Sequence, residues 1–213
     1  MNIKKTQEFL KNQFDEGKYF KLHEEEKRYR LEHSYRVANI GKEIALKEGF
    51  NVEATVIGCL LHDVSYGRGF DQKEDWLNHG RTSASIARPF LEGLNLDREV
   101  IEEICYGIAI HVDDMADIEG NRTPLAVTIG EADNIDRFGA YRIFENLKFV
   151  EFDKMTLLEK QEKVHSILEK LHRYKLEPLT TKTATQLWIS KLDFQIEFYK
   201  RLQEQLEYSC EIS

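Results

Sequence analysis

A chain of 213 residues, 41% hydrophobic and 32% charged, can bury a sizeable core as one domain with an appended subdomain, which excludes a disordered or membranous class. Its formal charge of −8 argues against long nucleic-acid tracts and anionic membranes as main partners, because those surfaces select for basic patches. A small phosphate ester stays open, provided a metal or local arginines offset its charge.

The longest uncharged apolar stretch, residues 54–61, is far short of a membrane span. The first residues, Met1-Asn2-Ile3-Lys4-Lys5, lead into Gln7-Glu8-Phe9 and not into a secretory apolar region, so a cytoplasmic protein is expected. Three scattered cysteines (Cys59, Cys105, Cys210) without a CxxC pair fit a reducing compartment, Cys59 and Cys105 as small core residues.

Three prolines and recurrent spacing near 3.6 predict an all-α chain. Phe9, Leu10 and Phe14 predict a first helix over about 4–15, with Gly17 as its stop. Residues 24–30 are heavily charged and read as a solvated helix face. From about 31 to 48, His33, Val37, Ile40 and Ile44 fall at i, i+4, i+7 and i+11, which places His33 on the buried stripe. The next helix, about 52–64, runs from Val56-Ile57-Gly58-Cys59-Leu60-Leu61 into His62-Asp63. A glycine-bearing loop over 65–71 follows, where a ligand could approach closely.

Residues 78–91 read as a helix with His79 near its start. Over about 97–112, Ile101, Ile104, Cys105 and Ile108 form an apolar face, and His111 lies on the same side. After Asp113-Asp114 and a polar loop, Pro124 opens another helix, where Ile129, Ala132 and Asp133 share a face and Asp133 points inward. Beyond residue 150 the chemistry thins out. Two amphipathic packing helices remain, one through Leu157, Val164, Leu168 and Leu171, the other after Pro178 through Trp188, Leu192 and Tyr199.

Of seven histidines, His33, His62, His79 and His111 lie on or at the ends of helices with apolar faces, whereas His23, His165 and His172 sit among charges. A single inward histidine is ordinarily a hydrogen-bonded core residue. Several unpaired buried imidazoles and carboxylates together would accumulate a large desolvation cost, which one divalent cation removes. Neighbours on a helix point about 100° apart, so His62 and Asp63 can share an ion only in a notch completed by other helices.

His33 in "LEHSYRVANIGKEIA", His62-Asp63 in "GCLLHDVS" and Asp133 in "GEADNIDRFGAYRIF" make an ordered set. In these residues the chain resembles the HD-domain metal-dependent phosphohydrolases, whose signature is a His, a distant His-Asp doublet and a later Asp. The likeness is nearest to the small bacterial branch similar to nucleotide pyrophosphohydrolases, where "NH", "IAxH" and "DADRLDxxGA" segments follow the doublet, as Asn78-His79, Ile108 to His111 and Glu131 to Ala140 do here. It covers about 25–150, with a weaker likeness over 183–204. Asn134 stands where an arginine usually follows the second aspartate, and acidic Asp113-Asp114 follow His111; both departures bear on the substrate rather than the metal.

The resemblance implies an all-α HD-domain helical bundle with a C-terminal helical extension: a helix within 1–24 packing on the core, the HD domain over 25–150, and C-terminal helices over 151–213 packing on it. It implies a divalent ion held by His33, His62, Asp63 and Asp133, with Mn²⁺ first and Fe²⁺, Co²⁺, Ni²⁺, Zn²⁺ or Mg²⁺ as alternatives. A water activated by that ion would cleave a phosphoester or phosphoanhydride bond of a nucleotide or related small phosphate metabolite. His79 and His111 would contact the phosphate or complete a second metal site; phosphate contact is favoured because no further bridging carboxylate is evident. Arg68 and Arg81 are candidate phosphate clamps, with exposed solubilising arginines as the plain alternative. Asp71 could orient the water or protonate the leaving group, or simply cap a helix.

The other readings are a nucleotide-binding HD signalling module with little turnover, a cyclic-nucleotide or guanosine-tetraphosphate phosphodiesterase, and a 5′-nucleotidase. Tyr66, Phe70, Trp76 and Phe138 are residues that could read the substrate, with packing as their simpler role. The expected partner is a small phosphorylated molecule, with no membrane and no long nucleic acid; a homodimer is compatible with the sequence.

Overall fold

The structure is a computed structural model and describes residues 1–209; Cys210 lies outside the described residues. Ten α-helices and two short 3-10 helices account for the regular structure, with no strand among the described residues. In order they are α1 (Asn2–Glu16), α2 (Glu24–Glu48), α3 (Val52–Leu61), a 3-10 helix (Val64–Arg68), α4 (Lys73–Leu77), α5 (His79–Glu92), α6 (Arg98–Ile110), α7 (Pro124–Asp136), α8 (Ala140–Phe149), a second 3-10 helix (Phe152–Lys154), α9 (Leu157–Tyr174) and α10 (Lys182–Glu207).

They form two compact units, residues 1–136 and 137–213. In the first, α3 is central and packs against α1, α2, α6 and α7, while α5 packs on α6 and on the first 3-10 helix. Every residue of α3 from Ala54 to Leu61 is buried, which is why that segment reads as continuously apolar. Asn51 caps it by accepting the Ala54 N–H at 3.1 Å. In the second unit, α10 packs on α9 and α8. There α9 begins with a Thr156–Glu159 capping box, and the Thr181 hydroxyl caps α10.

Two differences from the sequence-based expectation matter for the site. The helix expected over about 31–48 begins at Glu24, so the charged stretch 24–30 is its largely exposed opening: Glu24, Glu25 and Glu26 complement the helix dipole at its first turn, and Gly49, at φ 76°, closes the other end. The helix expected over 52–64 stops at Leu61. Asp63 leaves helical geometry at φ −107° and ψ 18°, and a 3-10 helix follows in which the Tyr66 N–H bonds the Asp63 carbonyl at 3.1 Å. This break removes the 100° constraint and lets two consecutive side chains face one point.

Helix approach is set by glycine at two places near the site. A Cβ on Gly107 would fall 2.7 Å from the Ala126 carbonyl oxygen, so α6 and α7 touch backbone to backbone. A Cβ on Gly80 would fall 2.7 Å from the Ala109 carbonyl oxygen and 3.1 Å from His111 Nδ1, so α5 lies directly on the end of α6.

Candidate metal centre

Six side chains from five segments converge in the first unit. His33 comes from the middle of α2, His62 and Asp63 from the break after α3, His79 from the first residue of α5, His111 from the end of α6, and Asp133 from α7. All are buried except His111 and Asp133, which are partly exposed.

His33 Nε2 lies 3.2 Å from His62 Nε2, 3.1 Å from Asp133 Oδ1 and 3.6 Å from Asp63 Oδ2. His62 Nε2 lies 3.5 Å from Asp63 Oδ2 and 3.8 Å from Asp133 Oδ1. On the other side, Asp63 Oδ1 lies 3.2 Å from His79 Nε2 and 3.5 Å from His111 Nε2, which are 3.1 Å apart. Asp63 therefore divides the cluster, with one oxygen toward each histidine pair. The doublet aspartate thus stands between the two pairs, where no further carboxylate is evident from the sequence.

The far side of every imidazole is anchored. His62, His79 and His111 each direct Nδ1 at the backbone carbonyl three residues earlier, Cys59 at 2.8 Å, Trp76 at 2.5 Å and Ile108 at 2.7 Å. His33 directs Nδ1 at Asp136 Oδ2 at 2.8 Å, and Arg36 grips the same carboxylate at 2.9 and 3.2 Å. A neutral ring anchored in this way keeps its proton at Nδ1 and turns the Nε2 lone pair to the centre.

The electrostatics show what the cluster lacks. Burial opposes a proton on His33, yet its bonds to Asp133 and Asp136 raise it from 6.5 to about 9. Burial drives His62 the other way, to about 4, which keeps it neutral. Burial also opposes ionisation of the two aspartates. His62, with bonds from His111 and His79 and the nearby Arg30, nonetheless holds Asp63 well below the ordinary carboxylate range, and the His33 bond brings Asp133 to about 2. His111 is raised against its burial by the Asp63 carboxylate. Without an ion, the imidazolium of His33 supplies positive charge between the buried Asp63 and the partly exposed Asp133.

A divalent cation fits this donor set. Donors sharing one ion at bonds of about 2.1 Å lie roughly 3 to 4.2 Å apart, and the distances above fall in that range. His33, His62 and Asp133 form one group able to hold an ion, and His62, Asp63 and His111 form a second.

The sequence matches the HD domain family over residues 30–137. The chain belongs to the HD domain family. A search among curated proteins finds no match. Among solved structures, the chain is similar to a predicted HD superfamily hydrolase from an uncultured Thermotogales bacterium, at 17% identity and a TM-score of 0.65, over 95% of this chain and 91% of that one. At that identity the likeness bears on the fold, which is the all-α HD fold.

Three further residues expected at the site are placed differently within this HD domain. Arg68 and Asp71 are exposed, and neither bonds to a member of the cluster. Arg81 is committed elsewhere: its guanidinium bonds both Asp113 oxygens at 3.0 and 3.1 Å, the Met115 carbonyl, the Asn78 side chain and the Leu77 carbonyl. It clips the loop after α6 to α5. Of the aromatic residues, Tyr66 and Phe70 lie beside His79 with ring centroids at 5.1 and 5.9 Å, and Trp76 at 6.0 Å is 46% exposed. Phe138 belongs to the second unit, where its ring meets Trp188 edge-on at 4.8 Å.

Sequence reasoning missed Arg30, Arg36 and Asp136. Arg30 and Arg36 lie three residues either side of His33, and Asp136 lies three after Asp133, so i±3 spacing from His33 and Asp133 was the available signal.

Proposed function

We propose that this protein is a metal-dependent phosphohydrolase that cleaves a phosphoester or phosphoanhydride bond of a nucleotide or related small phosphate metabolite. The observation that carries the reading is the convergence of four Nδ1-anchored imidazoles and two carboxylates on one centre; in this reading His33, His62, Asp63 and Asp133 would hold a divalent ion. Mn²⁺ is the first candidate, with Fe²⁺, Co²⁺, Ni²⁺, Zn²⁺ and Mg²⁺ as alternatives. When bound, such an ion lowers the pKa of a water and withdraws charge from phosphorus.

The chain's own residues do the remaining work. Asp136 and the three backbone carbonyls fix the imidazole planes. His111, whose pKa the Asp63 carboxylate 3.5 Å away raises against its burial, faces the centre where a leaving group would depart. His79, 3.1 Å away, shares this position with it.

The division of Asp63 between two histidine pairs favours a second reading of nuclearity, in which His79 and His111 bind a second ion and Asp63 bridges. Elemental analysis decides between one ion and two per chain. Function is tested by phosphate release from a panel of nucleotides with Mn²⁺, comparing the native protein with Asp63→Ala. The expected result is metal-dependent release that the substitution abolishes; absence of release from every substrate would favour the nucleotide-binding module.

A further inference from the structure

The arginines expected to meet a phosphate are exposed or fully engaged, but another arginine stands at the cluster. Arg30 lies one helical turn before His33 on α2, on the same face. Its Nη1–H donates to Asp63 Oδ2 at 3.0 Å, and its guanidinium carbon lies 3.6 Å over the centre of the Tyr66 ring. Tyr66 is itself buried, so the platform is fixed. The side chain is 21% exposed, and its Nε is buried without an acceptor. A guanidinium held by one N–H, stacked on Tyr66 and flanked by the Tyr29 ring at 5.7 Å, with its Nε unpaired, is pre-ordered for a forked bond to a phosphoryl oxygen. The need for a cation is local: Asp63, Asp133 and Asp136 surround His33, and Arg36 is spent on Asp136.

We propose that Arg30 is the phosphate-binding arginine of this site, contacting the non-bridging oxygens of the group to be transferred. This assignment rests on the metal-dependent phosphohydrolase reading. The competing role for Arg30 is to position Asp63 for the ion, and the two roles differ in what its removal does to metal binding. A positioning residue, once removed, weakens the metal. A phosphate ligand, once removed, leaves metal binding unchanged or tightens it, because a positive charge beside the ion is lost.

The test uses the full chain as native protein, Arg30→Ala, Arg30→Lys and Arg68→Ala, each first shown to unfold like the native protein. Mn²⁺ affinity is measured by calorimetry, then inorganic phosphate affinity on the Mn²⁺-loaded proteins. Arg30→Ala is expected to bind Mn²⁺ at least as tightly as native and phosphate about tenfold to a hundredfold more weakly. Arg30→Lys should recover part of the phosphate binding, since it keeps the charge without the fork, and Arg68→Ala should match native. Native phosphate affinity in Arg30→Ala, or a loss that merely follows weakened Mn²⁺, overturns the assignment while leaving the hydrolase reading intact. A native protein that binds no divalent ion overturns both.

Discussion

At the scale of single residues, the Asp136 carboxylate determines what His33 can do. It accepts from His33 Nδ1 at 2.8 Å and is itself gripped by Arg36, so ring orientation and tautomer are set from behind. Asp136→Asn is expected to weaken divalent-metal affinity by about ten- to a hundredfold while leaving the helical circular dichroism unchanged; a metal titration checks it. The raised His33 gives a second outcome. At pH 7.5 its ring carries a proton that an incoming ion must displace, whereas His62 is already neutral. Metal uptake should therefore release about one proton from His33 at that pH, and affinity should climb until the pH passes about 9. Calorimetry in two buffers of different ionisation enthalpy reads the proton directly. For the metal-free protein the sign is reversed. The contribution of His33 is fully present below pH 6.5, its ordinary value, and fades as pH rises through about 9.

At the scale of elements, backbone contact between helices sets the histidine spacing. Gly80→Ala would place a methyl 2.7 Å from the Ala109 carbonyl oxygen, and backbone cannot yield as a side-chain tip does. Separation of α5 from α6 is expected to cost about 1–3 kcal/mol in urea unfolding and to weaken metal binding through displaced His79 and His111. The sequence pattern made most helices legible, because burial follows a 3.6 period through Val37, Ile44, Ile104 and Ile108, and the same period turned His33, His111 and Asp133 inward. The end of α3 was not legible: Val64 continues the apolar run, and nothing local announces the 3-10 helix that turns His62 and Asp63 to one point. Nor was Arg30, since an arginine at the end of Glu24-Glu25-Glu26-Lys27-Arg28-Tyr29-Arg30 looks like any solvated charge until Tyr66 and Asp63 are seen beside it. Arg81 misled for the complementary reason. Asn78 and Asp113, which occupy it, come from a helix cap and a distant loop.

For the whole molecule, the first compact unit contains every member of the cluster, and each of the two units carries one tryptophan, Trp76 in the first and Trp188 in the second. A Trp188→Phe protein reports the site-bearing unit through Trp76 alone. With free metal at a hundred times its dissociation constant, that unit should gain about 2.7 kcal/mol by mass action, and its unfolding midpoint should rise accordingly. A midpoint indifferent to metal would contradict the centre assigned here. No helix among the described residues is long and apolar enough to cross a membrane.

The split of Asp63 between its two neighbours also makes it intolerant of its nearest isostere. An asparagine at position 63 would keep the shape but present one NH2 and one oxygen, so whichever way the amide turned, a hydrogen-bearing nitrogen would confront one imidazole pair. Asp63→Asn should thus fold with native helicity yet fail as a ligand as completely as Asp63→Ala, and elemental analysis of the two purified proteins would show it.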